Sequence, residues 1–179
     1  MSARTRLLQL VKERALIRGS FRLKSGQVSD HYFDCKRVTL DPEGAFQVAE
    51  AILDLLEEHR VDVQAVGGPA IGADPIATAV ALRSRERSRP LPAFLIREGE
   101  KAHGTGRRIE NSPPTGAPVL VVEDTVTTGG STLRAIQACE KSGLRVAAVV
   151  CVVDREQGGA AALAAYRFLP LFRSSEILD

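Results

Sequence analysis

The chain has 179 residues, 44% apolar and 26% charged, with a formal net charge of +2; that is enough for one globular domain and too neutral for a general nucleic-acid binder. No apolar run approaches the roughly 18 residues of a membrane span. Three scattered cysteines (Cys35, Cys139, Cys151) give neither a metal-ligand spacing nor an even disulfide set, so a cytoplasmic protein with no membrane or nucleic-acid partner is expected.

Residues 3–17, with Arg4, Arg6, Lys12, Glu13 and Arg14 among leucines, read as an amphipathic helix and lack the apolar centre of a signal peptide. From 21 to 39 the character alternates, with Gly19 and Gly26 nearby, which predicts a short antiparallel hairpin apart from the main sheet. Asp41-Pro42 is a helix start, N-cap then Pro at N1, and Ala45, Val48, Ala49, Ile52, Leu55 and Leu56 form one apolar face to about His59. A strand at 61–66, a Gly/Pro loop, a helix at 75–83 and a strand at 93–96 follow. After a long polar stretch, 97–117, come an apolar strand from Val119, a helix opened by Ser131, a strand at 145–154, an Ala-rich helix at 157–165 and a last strand at 166–173. Strands alternating with helices predict an α/β fold with a central parallel sheet, in one domain over 1–179. Residues 18–40 and the C-terminal tail would form a small subdomain over the sheet's carboxyl edge.

The most informative segment is Val119 to Thr132. An apolar strand ends in Glu123 and Asp124, and Thr125, Val126, Thr127, Thr128, Gly129, Gly130 and Ser131 lead into a helix. Amides of such a loop, with the helix dipole, suit a phosphate. Carboxylates at the strand's carboxyl end face the ligand crevice of an open sheet and suit ribose hydroxyls or hydrated Mg²⁺. A ligand with a phosphate at one end and a diol beside it is a phosphoribosyl group. The G-x-x-x-x-G-K-[ST] motif is absent, and no G-x-G-x-x-G follows a strand, which leaves ATPases and dinucleotide-dependent dehydrogenases without support.

The segment resembles the ribose-phosphate signature of type I phosphoribosyltransferases, and four further segments resemble the orotate phosphoribosyltransferases in the same order. Arg22-Leu23-Lys24-Ser25-Gly26, followed by Tyr32-Phe33, is similar to the family's N-terminal hood; this implies base contacts from Lys24 and Phe33. Residues 67–76 are similar to its diphosphate loop, with Gly72 where some members carry lysine. Arg97 and Lys101-Ala102-His103-Gly104 match its flexible catalytic loop (here 97–110), which in the family reaches across a dimer into the neighbour's site. Glu98 stands where the family often has lysine, so that position cannot bind the diphosphate in the same way. Asp154-Arg155, followed by Gly158-Gly159, matches the segment whose arginine meets the orotate carboxylate.

The resemblance implies transfer of ribose 5-phosphate from phosphoribosyl diphosphate to orotate in pyrimidine biosynthesis. It implies a homodimer, Mg²⁺ carried by the diphosphate and water rather than by protein ligands, and catalytic roles for Lys101, His103 and Asp124. Donor contacts would come from Arg97, Lys101, His103 and residues 123–131, with orotate on Lys24, Phe33, Thr127 and Arg155. A purine-specific enzyme is the first alternative, disfavoured by Arg155 and Lys24. A non-catalytic ribose-phosphate sensor that binds nucleic acid is the second, disfavoured by the near-neutral charge.

Overall fold

The computed structural model describes residues 2–22, 28–97, 99 and 108–179. Helix α1 (Ala3–Leu10), capped by Ser2, continues as a π-helical turn, Val11–Ala15, and stops where Leu16 turns extended. The expected hairpin is β1 (Leu16–Arg22) against β2 (Val28–Phe33), a separate two-stranded antiparallel sheet. A short helix that the sequence did not announce, α2 (Lys36–Thr39), joins it to α3 (Pro42–Glu58). The Asp41 carboxylate accepts from the Glu43 and Gly44 amides at 3.0 Å, as its N-cap position requires.

The main sheet is built from β3 (Ala65–Pro69), then, after α4 (Ala73–Glu86), β4 (Ala93–Ile96) and β5 (Ile109–Glu110). Next come β6 (Pro118–Val126), α5 (Gly130–Lys141), β7 (Arg145–Asp154), α6 (Gly159–Ala162), β8 (Phe168–Arg173) and α7 (Ser174–Leu178). The strand order is β5-β4-β3-β6-β7-β8, parallel throughout except for the β5 edge, which runs antiparallel to β4. The expected central parallel sheet is present, with β5 added antiparallel at one edge.

Two expectations shift. The strand expected at 61–66 begins at Ala65, because Val61 and Val63 are buried outside the ladder while Gly67 and Gly68, read as loop, lie within it. The Ala-rich helix shrinks to four residues after Gly158, which adopts φ +97°.

Alternation along the strands sorts the core onto the two faces of the sheet. Leu120, Val122, Ala148 and Val150 pack with α1, α3 and α4, and Phe33 and Val38 join the same cluster, anchoring the hairpin segment. Val119, Val121, Val149 and Cys151 pack with Ala135, Ile136 and Cys139 of α5 on the other side. Arg4 binds the Glu176 carboxylate at 2.7 Å and the Leu171 carbonyl at 3.0 Å, tying α1 to the C-terminal segment.

A Cβ on Gly68 would overlap the Val122 carbonyl oxygen and sit 2.6 Å from Ala73 Cβ, so glycine lets β3 and α4 close on β6. Gly68→Ala is expected to destabilise the protein by about 2 kcal/mol or more, read as a lower urea midpoint with an unchanged slope.

Candidate active site

The strand order reverses at β3, whose neighbours β4 and β6 lead the chain away in opposite directions. In open α/β sheets the crevice at the carboxyl ends beside such a switch takes the ligand. Here it is bordered by residues after Pro69, Ile96, Val126 and Asp154.

Ladder pairing of β6 with β7 persists to Val126–Asp154, so Glu123 and Asp124 lie within the strand and not at its tip. They therefore point to opposite faces of the sheet. Glu123 shares the side of Val119 and Val121, beneath α5, where its carboxylate accepts from Ser131 Oγ at 3.3 Å and Thr132 Oγ1 at 3.5 Å. Asp124 shares the side of Leu120 and Val122. Its Oδ1 accepts from the Thr125 amide at 2.8 Å, and a Cβ on Gly72 would come within 2.6 Å of that oxygen. The pair read from sequence as one diol-binding unit is thus divided between a buried acid and a half-buried one.

Glu123 is 6% exposed. Burial, with Asp124 beside it, pushes its carboxyl up from the ordinary 4.5 to about 8. A folded-state pKa above the unfolded one gives stability that is complete below about pH 4.5 and is lost as pH rises to about 8. Glu123→Gln is expected to remove this slope, so that a melting series should show the variant gaining on wild type from pH 5 to pH 9.

The segment between β6 and α5 is only 127–129. Gly129, buried at φ +82°, lies beneath Ala162 and Gly159, while Thr128 and Ser131 stay exposed at the start of α5. A helix beginning on two glycines leaves its first amides free of side-chain cover and keeps the positive end of its dipole toward the crevice. The Arg134 guanidinium, missed in the sequence, folds back over this turn, with Nη1 3.5 Å from where a Gly130 Cβ would stand.

The hairpin segment crosses the ends of β6 and β7. Cys35 Sγ accepts from Thr125 Oγ1 at 3.4 Å, and Lys36 Nζ stands 3.3 Å from Asp124 Oδ2. Tyr32 and Phe33 separate by strand alternation. Phe33 is 3% exposed, a core residue in edge contact with His31, whereas Tyr32 is 39% exposed. The Lys36 pKa is raised by Asp124 first and more weakly by Tyr32, and Tyr32 also opposes the lowering of Arg155 by burial. A period-2 reading of β2 would have found Tyr32, since only one of two adjacent aromatics can enter the core. Lys36 carries no such signal in an ordinary basic dipeptide.

Arg155 is 7% exposed, and its Nε and Nη2 are buried with no hydrogen-bond partner among the described residues. Burial pushes its pKa down, an effect Tyr32 opposes. Its amide donates to the Val126 carbonyl at 2.8 Å, which fixes the segment after β7 against the end of β6. Buried N–H groups are almost always paired. Two adjacent orphans on one guanidinium edge match the two oxygens of a carboxylate.

Arg97, at the end of β4, pairs with Glu110 at 3.4 Å on the β5 side of the crevice. Thr125 and Val126 belong to β6 itself, Val126 with its side chain buried against the Gly159 backbone. Lys24, Glu98, Lys101, His103 and Arg107 lie outside the described residues.

No family model matches the chain. The orotate phosphoribosyltransferase of Streptomyces avermitilis is 44% identical over 167 residues, covering 90% of this chain and 91% of that protein. That of Thermococcus gammatolerans is 40% identical over 182 residues, covering 100% and 94%. The solved structure of Mycobacterium tuberculosis orotate phosphoribosyltransferase in complex with 5-phospho-alpha-D-ribosyl 1-diphosphate superposes with a TM-score of 0.81 at 34% identity, covering 99% of each chain.

Proposed function

The chain belongs to the orotate phosphoribosyltransferase family, and from that premise we propose how its residues divide the reaction. The reaction transfers ribose 5-phosphate from phosphoribosyl diphosphate to orotate, giving orotidine 5′-monophosphate and pyrophosphate in pyrimidine biosynthesis. The observation that carries the residue assignment is Arg155, a buried guanidinium with two donors unsatisfied among the described residues. Orotate's carboxylate meets that edge with two parallel hydrogen bonds. Tyr32, rather than the core residue Phe33, lies against the base, and Lys24 is its second cation.

Asp124 takes the ribose hydroxyls on the face it shares with Gly72. The amides and hydroxyls of Thr127, Thr128, Gly129, Gly130 and Ser131 hold the 5′-phosphate at the start of α5. Glu123 serves this cradle as a positioning residue, because its bonds reach Ser131 and Thr132. Arg97, Lys101 and His103 act on the diphosphate from the neighbouring subunit of a homodimer. The chemistry asks for little covalent help. Charge gathers on the departing diphosphate while the sugar becomes cation-like, so orientation and electrostatics dominate.

Mg²⁺ fits this residue set. It takes phosphate oxygens and water and needs few or no protein ligands, and Asp124, its side chain 13% exposed at the crevice, can meet it through water. Bound with the donor, it would neutralise diphosphate charge; no other role is given to it. Among the described residues, no helix is long and apolar enough to cross a membrane, and the three thiols are unpaired, which supports a cytoplasmic enzyme. The hairpin's anchorage in the same core as α1 and α3 supports a single domain.

The test is the fall in orotate absorbance on adding phosphoribosyl diphosphate and Mg²⁺, with uracil, adenine and hypoxanthine run beside it. Turnover with orotate alone is expected. Turnover with a purine, or with no base at all, would overturn the assignment, and silence with all four would favour the sensor reading.

A further inference from the structure

Lys36 opens α2 where the chain crosses the carboxyl ends of the sheet, with its ammonium 3.3 Å from Asp124 Oδ2. The two partners are unequally held. The Asp124 side chain is 13% exposed, bonded through its other oxygen to the Thr125 amide and crowded by Gly72. The Lys36 side chain is 46% exposed and, among the described residues, makes this single polar contact at the long end of hydrogen-bond range. A half-solvated ammonium on a flexible stem adds little to stability and exchanges partners readily. Its pKa is raised, first of all by Asp124, so the ammonium is charged when the site is empty.

Ribose hydroxyls are donors, and when they take the Asp124 oxygens they leave the ammonium without its counter-charge. The facing loop, 67–74, contains no basic residue and ends in an acid, Asp74, whose Oδ1 is buried without a partner. A donor bearing a diphosphate thus finds no basic side chain in that loop, and the displaced ammonium is a cation free to turn to it. Given the ribose role assigned to Asp124 above, we propose that Lys36 is a donor-binding cation. It neutralises Asp124 in the empty site and passes to a diphosphate oxygen when the ribose hydroxyls take the carboxylate. This supplies from α2 a positive charge that Gly72 does not provide.

The test compares wild type, Lys36→Ala and Lys36→Arg by calorimetric titration without any acceptor base. The ligands are phosphoribosyl diphosphate with Mg²⁺ and, separately, ribose 5-phosphate. Lys36→Ala is expected to weaken diphosphate binding about tenfold or more, the usual range for a lost hydrogen bond to a charged group. Ribose 5-phosphate binding should stay equal or tighten, since its hydroxyls no longer displace the ammonium. Lys36→Arg should recover most of the diphosphate affinity. Equal weakening of both ligands with a lower melting temperature would mean that Lys36 only props up Asp124, and would overturn the proposal. So would unchanged diphosphate affinity. Wild-type protein that binds neither ligand would overturn the donor-site reading, and this inference with it.

Discussion

Arg155→Met is expected to make the empty protein more stable and nearly blind to orotate. Methionine keeps the length and apolar stem of arginine but removes the two buried donors that have no partner among the described residues. An unsatisfied buried donor costs about 1–3 kcal/mol. Relieving even the low end should raise Tm by about 2–4 °C in a chain of this size. Loss of a bidentate, charge-assisted contact should raise KM for orotate by roughly a hundredfold, while KM for the donor stays within about twofold. Steady-state kinetics with each substrate varied, beside a melting curve, checks both halves. A lower Tm with an unchanged orotate KM would show that Arg155 is a structural residue.

Lys101→Ala should act on the other side of the bond being broken. A preorganised donor aimed at charge that develops only in the transition state contributes about 3 kcal/mol, or roughly a hundredfold in kcat. The donor's ground state already carries most of that charge, so its KM should rise modestly, and orotate's should not move. An unchanged kcat would remove the loop from the mechanism. Subunit mixing tests where it acts. If Lys101 serves the neighbour's site, random pairing of Lys101→Ala with Arg155→Met chains should restore about a quarter of wild-type activity, since half the dimers then hold one intact site. No recovery would place the loop in its own subunit's site.

Much of this fold was legible in local chemistry. The Asp41-Pro42 cap gave the start of α3, and the unbroken apolar runs of β6 and β7 gave the two central strands. What stayed hidden depended on contacts between distant segments. Gly67 and Gly68 look like a loop until Phe94 and Val122 approach them in the sheet. The four-residue α2 is too short to show a period. In the site, Arg155 was expected from the resemblance of its segment, and the 127–131 turn from residue type and order. Lys36 was not, because its significance comes only from the passage of the hairpin over Asp124. The acids Glu123 and Asp124 were found together and read together, although the two-residue period of a strand already implied that they face apart.

Val126 and Asp154 stand opposite each other at the ends of neighbouring strands, and the Arg155 amide is bonded to the Val126 carbonyl. In the assignment proposed above, the phosphate cradle continues from the first strand and the base-recognising guanidinium from the second. The distance between them is therefore set by the strand spacing of about 4.8 Å and by backbone hydrogen bonds, not by side chains. On that assignment the sheet, not the loops, fixes the relative placement of the two subsites. Exchanging residues along its edge can change which base is read, while the reach from phosphate to base stays the same.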